Sequence, residues 1–326
     1  MTDPVVKYGT IGNYSGPIVK GTVDAFDKIP TMADSHLDRA FWLTTMVESG
    51  GKAGSIMAAD GTGMTASLEQ LVAVYPRNMN EQGSLFGMLQ KLSETMDVNE
   101  LLFEEVGWEL FEGVLRNKKT AGAILPSMIQ NTFTPPNGHV PARGPQWEQS
   151  KKWALKFHKL FATPTTIDVQ IKYGMNQFVK YARTRSPRLR KQSVDALIYK
   201  GNIELDDPFK GEIVNDLAMA VWWSYKVNGP TPAMERLFDA ATDHKPESPE
   251  FGQHLIRLLR TSKYGRWATN RYDRTRKHAM SVWPDSFFNG PDAVMPARRS
   301  ITPPPEGRGL LKERDATSDQ QDQTID

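Results

Sequence analysis

Two carboxylates lie near each other in the sequence, each beside glycines that allow the chain to turn sharply. Glu48 begins the run Glu-Ser-Gly-Gly, and Asp60 begins the run Asp-Gly-Thr-Gly. Glycoside hydrolysis uses two carboxyl groups, because one protonates the leaving oxygen while the other activates water or stabilises the positive charge on the sugar. The sequence therefore predicts Glu48 as a general acid and Asp60 as the second carboxylate.

A helix is predicted to place the first of these carboxylates. Apolar residues recur at helical spacing over 34–47, Asp34 or Ser35 can cap the start, and Gly50 stops the pattern after Glu48. A carboxylate at the end of a buried helix is shielded from water, which favours the protonated form that a general acid needs.

A hairpin is predicted to place the second carboxylate. The short apolar run 55–59 is followed by turn residues at 60–63, and Met64-Thr65-Ala66 leads the chain back. Asp60 then lies at the tip of a hairpin facing the end of the helix.

These motifs resemble a known family. Glu48-Ser49 at a helix end resembles the catalytic Glu-Ser of the lysozyme-like superfamily, which includes lytic transglycosylases and goose-type lysozymes. The segment 60–66 is similar to the Asp-Gly-x-Gly-x-Thr-Ala segment of bacterial chitosanases and to hairpins of phage peptidoglycan hydrolases, although Ser67 stands where a glycine is common. The resemblance implies that Glu48 is the general acid, that Asp60 is the second carboxylate and that Thr65 holds the attacking water.

Further residues are predicted to contact the substrate. Ser49, Gly63 and Gln70 flank the catalytic candidates. Trp222 and Tyr225 lie in the most apolar helical segment, and aromatic faces of this kind stack on sugar rings; the alternative is that both rings pack in the core. The turn-rich loop 131–146 also carries two candidate sugar contacts, for which the alternative is a solvated loop: His139 and Arg143.

The composition excludes several classes of function. The net charge is +2 and the pI is about 8.6, so nucleic acid is not required as a partner. The chain has no cysteine and only six scattered histidines, and we expect neither a metal site nor a cofactor. No signal peptide and no membrane span are apparent. An enzyme for the cell wall would then act from a phage virion or wait in the host cytoplasm for release.

The predicted fold is mainly α, of the α+β lysozyme-like type, with a helical body and one small β-hairpin beside the catalytic helix. We divide the chain into an N-terminal extension (1–33), a catalytic domain (34–290) and a Pro-rich, polar C-terminal tail (291–326). Beyond the helix before Glu48, helices are predicted over 68–75, 81–92, 98–115, 147–161, 165–183, 193–202, 213–227, 234–242, 249–259 and 264–282.

The predicted function is cleavage of β-1,4 bonds in peptidoglycan by a phage-encoded, virion-associated glycoside hydrolase whose partners are glycan strands and other virion or tail proteins. Three alternatives stay open. The same carboxylates serve lytic transglycosylases, and chitosan is a second possible substrate. The third is a non-enzymatic phage structural or wall-binding protein on this scaffold. Helices that end in glutamate followed by glycines, and turns that contain Asp-Gly, also occur in proteins without catalytic activity.

Overall fold

The computed structural model describes residues 4–11, 13–25, 36–59, 61–75, 81–136, 138–189, 191–200, 208–228, 230–248, 250–261 and 265–282. The described residues form a mainly α, α+β fold with small sheets. Contacts divide them into two units: residues up to 25 together with 48–174 form the first, and residues 36–47 together with those after 174 form the second. The predicted boundaries at residues 33 and 290, and the predicted tail, lie outside the described residues.

Nine short strands are found in the first unit. They are β1 Val6–Ile11, β2 Tyr14–Val19, β3 Val23–Asp24, β4 Lys52–Ala53, β5 Ile56–Met57, β6 Thr65–Ala66, β7 Leu71–Val72, β8 Trp108–Phe111 and β9 Val114–Asn117. Five of them form an antiparallel sheet in the order β1-β2-β5-β6-β7, while β3 pairs with β4 and β8 pairs with β9. The predicted hairpin is thus present as β5 and β6. The sheet is larger than predicted because the N-terminal strands join it.

Ten α-helices are found among the described residues. They are α1 His36–Ser49, α2 Ser84–Leu92, α3 Pro126–Phe133, α4 Pro145–Phe161, α5 Pro164–Ala182, α6 Val194–Lys200, α7 Pro208–Asn228, α8 Pro230–Asp243, α9 Phe251–Arg260 and α10 Gly265–Val282. The described residues also form a π-helical turn (Asn99–Phe103) and two 3₁₀ turns (Glu104–Val106 and Pro187–Leu189). The boundary between the units falls inside α1 and α5, so Glu48 and Ser49 belong to the first unit.

Two predicted helices are wrong. Residues 68–75 form a turn and β7 instead of a helix, and residues 98–115 continue after the π-helical turn into the β8–β9 hairpin. In that hairpin Glu112 and Gly113 both have positive φ, 49° and 78°, the combination that a two-residue hairpin turn of type I′ requires. The apolar spacing resembled a helix, but the turn residues and the aromatic and β-branched side chains favour strands.

The core of the first unit lies between the sheet and α2, α3 and α4. Aromatic side chains on α3 and α4 pack against each other: Phe133 lies 4.7 Å from Trp153 and 5.4 Å from Phe157 between ring centroids. A smaller apolar cluster contains Ala25, Ala53 and Ile167 together with Leu68, which lies in the turn after β6. The larger cluster includes Ala66 and so holds β6, the strand that carries the predicted catalytic residue Thr65.

The second unit is helical, and α7 packs against α8, α9 and α10. Its interior contains an ion pair in which Arg39 Nε lies 2.6 Å from Asp216 Oδ2, with both side chains at most 3% exposed. The Tyr199 hydroxyl donates a hydrogen bond to the other oxygen of Asp216. Hydrogen bonds therefore compensate these two charged groups for their burial away from water.

Candidate active site

Glu48 is the penultimate residue of α1, as the sequence predicted. The helix ends because Gly50 and Gly51 adopt φ values of 68° and 69°, the left-handed conformation that glycine accepts most readily. The side chain of Glu48 is half-buried. The helix end therefore fixes the position of a carboxylate that keeps partial access to solvent.

The chain that follows Glu48 is held from two sides. The β3–β4 pair fixes one side, with Val23 opposite Ala53. On the other side His158 of α4, which is buried, lies with Nδ1 2.7 Å from the Gly54 carbonyl oxygen. Because a carbonyl can only accept, His158 Nδ1 carries the hydrogen. The sequence alone gave no reason to connect His158 with this segment.

The β5–β6 hairpin carries Thr65, and its turn is packed against α3. Gln130 Nε2 donates a 2.9 Å hydrogen bond to the Gly61 carbonyl oxygen. Gly63 has φ 77°, and a Cβ atom there would lie 3.1 Å from Cα of Gln130. Gly63 is therefore needed for backbone conformation and close packing. Asp60, the predicted second carboxylate, lies outside the described residues.

The turn after β6 has an unusual backbone. Ser67 and Gln70 have φ values of 78° and 53°, in the left-handed region that side chains other than glycine rarely occupy. Strained residues of this kind persist only where surrounding contacts hold them.

The Gln70 side chain supplies those contacts. Its Nε2 donates to the carbonyl oxygens of Ser55 and Ser67, both at 3.0 Å, and its Oε1 lies 3.1 Å from the Thr65 hydroxyl. Ser55 in turn places its hydroxyl 3.3 Å from the Ser49 carbonyl oxygen. Three predicted site residues, Ser49, Thr65 and Gln70, are thus joined in one hydrogen-bonded group.

We expect Gln70→Ala to lower the free energy of unfolding by about 1–3 kcal/mol, because it removes three partly buried hydrogen bonds. Thermal unfolding followed by circular dichroism measures this change. Gln149→Ala is the matched control, since that exposed side chain makes one hydrogen bond, 2.8 Å, to the Thr132 carbonyl oxygen. Equal melting temperatures for the two variants would contradict the bracing role of Gln70.

The braced turn carries Glu69, a carboxyl group that the sequence did not single out. Its Oε1 is buried and has no hydrogen-bond partner among the described residues, although the residue as a whole is only half-buried. The carboxyl group lies against Gly174, where a Cβ atom would be 2.7 Å from both Cδ and Oε2. Burial, and then the charge of Glu48, raise the pKa of Glu69 to about 8. Glu69 and Glu48 therefore interact electrostatically.

Tyr173 adjoins Glu69, and Tyr75 adjoins Tyr173. Burial first, then Tyr75 and Glu69, raise the pKa of Tyr173. The Tyr173 hydroxyl donates a 3.2 Å hydrogen bond to the Ser84 carbonyl oxygen. Tyr75 is 40% exposed, so this cluster extends from the buried carboxyl group to the surface.

The two remaining predicted contacts lie in the second unit. Trp222 is fully buried and its Nε1 donates to the Ala233 carbonyl oxygen at 3.1 Å, while Tyr225 is 1% exposed. Neither ring presents a face on which a sugar could stack, because helix packing encloses both. This placement corrects their assignment to substrate binding and matches the alternative of core packing.

Comparison of the chain with protein-family models, with curated proteins and with solved structures found no match. Within the described ranges, no helix has the length and apolar character needed to cross a membrane. The same part of the chain contains no group of three or more His, Asp or Glu side chains arranged to hold a metal ion.

Proposed function

We propose that the first unit is a glycosidase that cleaves β-1,4 bonds of bacterial peptidoglycan, with Glu48 as the general acid. The observation that carries this proposal is the interacting pair of Glu48 and Glu69. Because the pKa of Glu69 is about 8, Glu69 holds a proton at neutral pH beside Glu48. A retained proton on two interacting carboxyl groups is what acid catalysis of glycoside cleavage requires.

The chemistry assigns separate tasks to the two glutamates. Glu48 is half-buried at the helix end and in this proposal meets the substrate, whereas Glu69 Oε1 is enclosed. We therefore assign proton donation to Glu48 and a supporting role to Glu69, which is protonated at neutral pH.

In the proposed reaction Glu48 transfers its proton to the glycosidic oxygen as the bond between that oxygen and the anomeric carbon breaks. Water then adds to the anomeric carbon and releases a proton. Asp60 remains the proposed carboxylate that assists this water, and Thr65 the residue that orients it. The Thr65 hydroxyl donates within the protein, to Gln70 or to the Met57 carbonyl oxygen, so its lone pairs can accept from water.

The resemblance to lysozyme-like proteins supports peptidoglycan as the substrate, and it also supports a phage origin, action from the virion and other virion or tail proteins as partners. The wild-type protein should release soluble fragments from purified peptidoglycan. Mass analysis then identifies the reaction, because hydrolysis adds water and lytic transglycosylation forms an anhydro product without it. If walls of several chemical types release no fragments, a non-enzymatic binding or structural role replaces this proposal.

A further inference from the structure

An exposed aromatic pair lies beside the turn of the β5–β6 hairpin. Tyr14, the first residue of β2, is 37% exposed, and His139 is exposed as well. Their rings stack, with 5.4 Å between centroids and 27° between planes. Exposed, stacked aromatic rings of this kind offer an apolar surface together with polar atoms at its edge.

The pair touches the turn directly. A Cβ atom at Gly61 would lie 2.5 Å from Cζ and 2.8 Å from the hydroxyl oxygen of Tyr14, so only a glycine lets the ring approach this closely. The opposite side of the turn is held by the hydrogen bond from Gln130 to the Gly61 carbonyl oxygen. The aromatic pair and the hairpin turn therefore form one continuous structure.

The loop that carries His139 is also fixed in place. The Ser15 N–H donates to the Gly138 carbonyl oxygen at 2.8 Å, and the Val140 N–H donates to the Ser15 carbonyl oxygen at 2.9 Å. The Ser15 hydroxyl adds a 2.9 Å hydrogen bond to the Val140 carbonyl oxygen. Three hydrogen bonds on both sides of His139 hold its ring against Tyr14 before any ligand arrives, which reduces the entropy lost on binding.

We propose that Tyr14 and His139 form a platform that binds one pyranose ring of a β-1,4-linked N-acetylhexosamine strand beside the hairpin turn. This inference rests on the proposed function, because it names the place where a strand would extend from the cleavage site. The apolar CH groups of a pyranose match the aromatic surface, and the Tyr14 hydroxyl and the His139 ring nitrogens can exchange hydrogen bonds with sugar hydroxyl and acetamido groups. A glycan strand that contacts both the cleavage site and this platform crosses the hairpin in one defined direction.

Binding of the tetramer of β-1,4-linked N-acetylglucosamine tests the platform, measured by calorimetry on full-length Glu48→Gln protein so that the ligand stays intact. We expect Tyr14→Ala to weaken binding about tenfold, equivalent to roughly 1.4 kcal/mol, and His139→Ala to weaken it several-fold. His139→Ala changes an exposed side chain, so it keeps the test valid if Tyr14→Ala disturbs folding. Tyr8→Ala is the matched control, because Tyr8 is 45% exposed and its ring lies 5.9 Å from the ring of Trp147 and not at the hairpin turn.

Wild-type-like affinity in both Tyr14→Ala and His139→Ala would overturn the platform, as would a parent protein that does not bind the tetramer. Loss of affinity in Tyr8→Ala equal to that in Tyr14→Ala would overturn its location. The outcome is separable from that of the proposed function. Binding through Tyr14 without fragment release from peptidoglycan supports the platform and contradicts the glycosidase. Fragment release by the wild type, with unchanged tetramer affinity in Tyr14→Ala and His139→Ala, supports the glycosidase and contradicts the platform.

Discussion

Glu48→Gln should reduce the rate of fragment release from peptidoglycan by about 10²–10⁴-fold, the usual contribution of a general acid. Glutamine has the size of glutamate and keeps a hydrogen-bonding head group, but it cannot transfer a proton to the glycosidic oxygen. The rate is measured on solubilised glycan strands by counting new reducing ends, or anhydro ends if the reaction is a transglycosylation. Binding of the substrate should change little, because the loss concerns the transition state.

Glu100→Gln is the control for this variant. Glu100 is an exposed glutamate of the same unit, in the π-helical turn, so the substitution removes the same charge without touching the pair. Both proteins should melt at temperatures close to that of the wild type. Wild-type turnover in Glu48→Gln would contradict the assignment of the general acid.

The second large effect is a loss of activity as the pH rises through about 8. Below that value Glu69 is protonated beside Glu48; above it Glu69 loses this proton, and the proposed proton store for acid catalysis is gone. In Glu69→Gln the fall in activity should move to lower pH, because residue 69 no longer supplies this proton. A pH profile of fragment release from both proteins measures the shift, and identical profiles would show that Glu69 takes no part.

The same pKa shift predicts how stability depends on pH. The ordinary pKa of glutamate is 4.5, and that of Glu69 in the folded protein is about 8. Between these pH values the folded state binds more protons than the unfolded state. The contribution of Glu69 to the free energy of unfolding therefore falls as the pH rises from about 4.5 to 8, and it is constant above that range. Glu69→Gln should remove this slope from the melting temperature, whereas Glu100→Gln should preserve it.

Local patterns were sufficient to predict the elements around Glu48. A helix that ends in Glu-Ser-Gly-Gly and a hairpin with Asp-Gly-Thr-Gly depend on residues that are neighbours in sequence, and both elements are present at 36–49 and 56–66. Most of the later helices were also predicted to within a few residues, because their apolar spacing and their proline or glycine boundaries are local signals.

Glu69 could not be predicted in this way. The apolar spacing of residues 68–75 favoured a helix, and a helix would have placed Glu69 on a solvated face. The observed turn depends on Ser67 and Gln70 in left-handed conformations and on Gly174, which is distant in sequence and leaves space for the carboxyl group. The one signal in the sequence was a charged residue within a mostly apolar run, Leu-Glu-Gln-Leu-Val-Ala-Val.

The central claim is that Glu69, beside Glu48, holds a proton at neutral pH. Carbon-13 NMR of side-chain carboxyl groups in protein labelled at glutamate tests it directly, with the Glu69 signal assigned by its absence in Glu69→Gln. We predict that this signal titrates with a midpoint of about 8, and that the midpoint falls in Glu48→Gln because the charge of Glu48 is one of its causes. Titration near the ordinary value of 4.5, with no response to Glu48→Gln, would contradict the account.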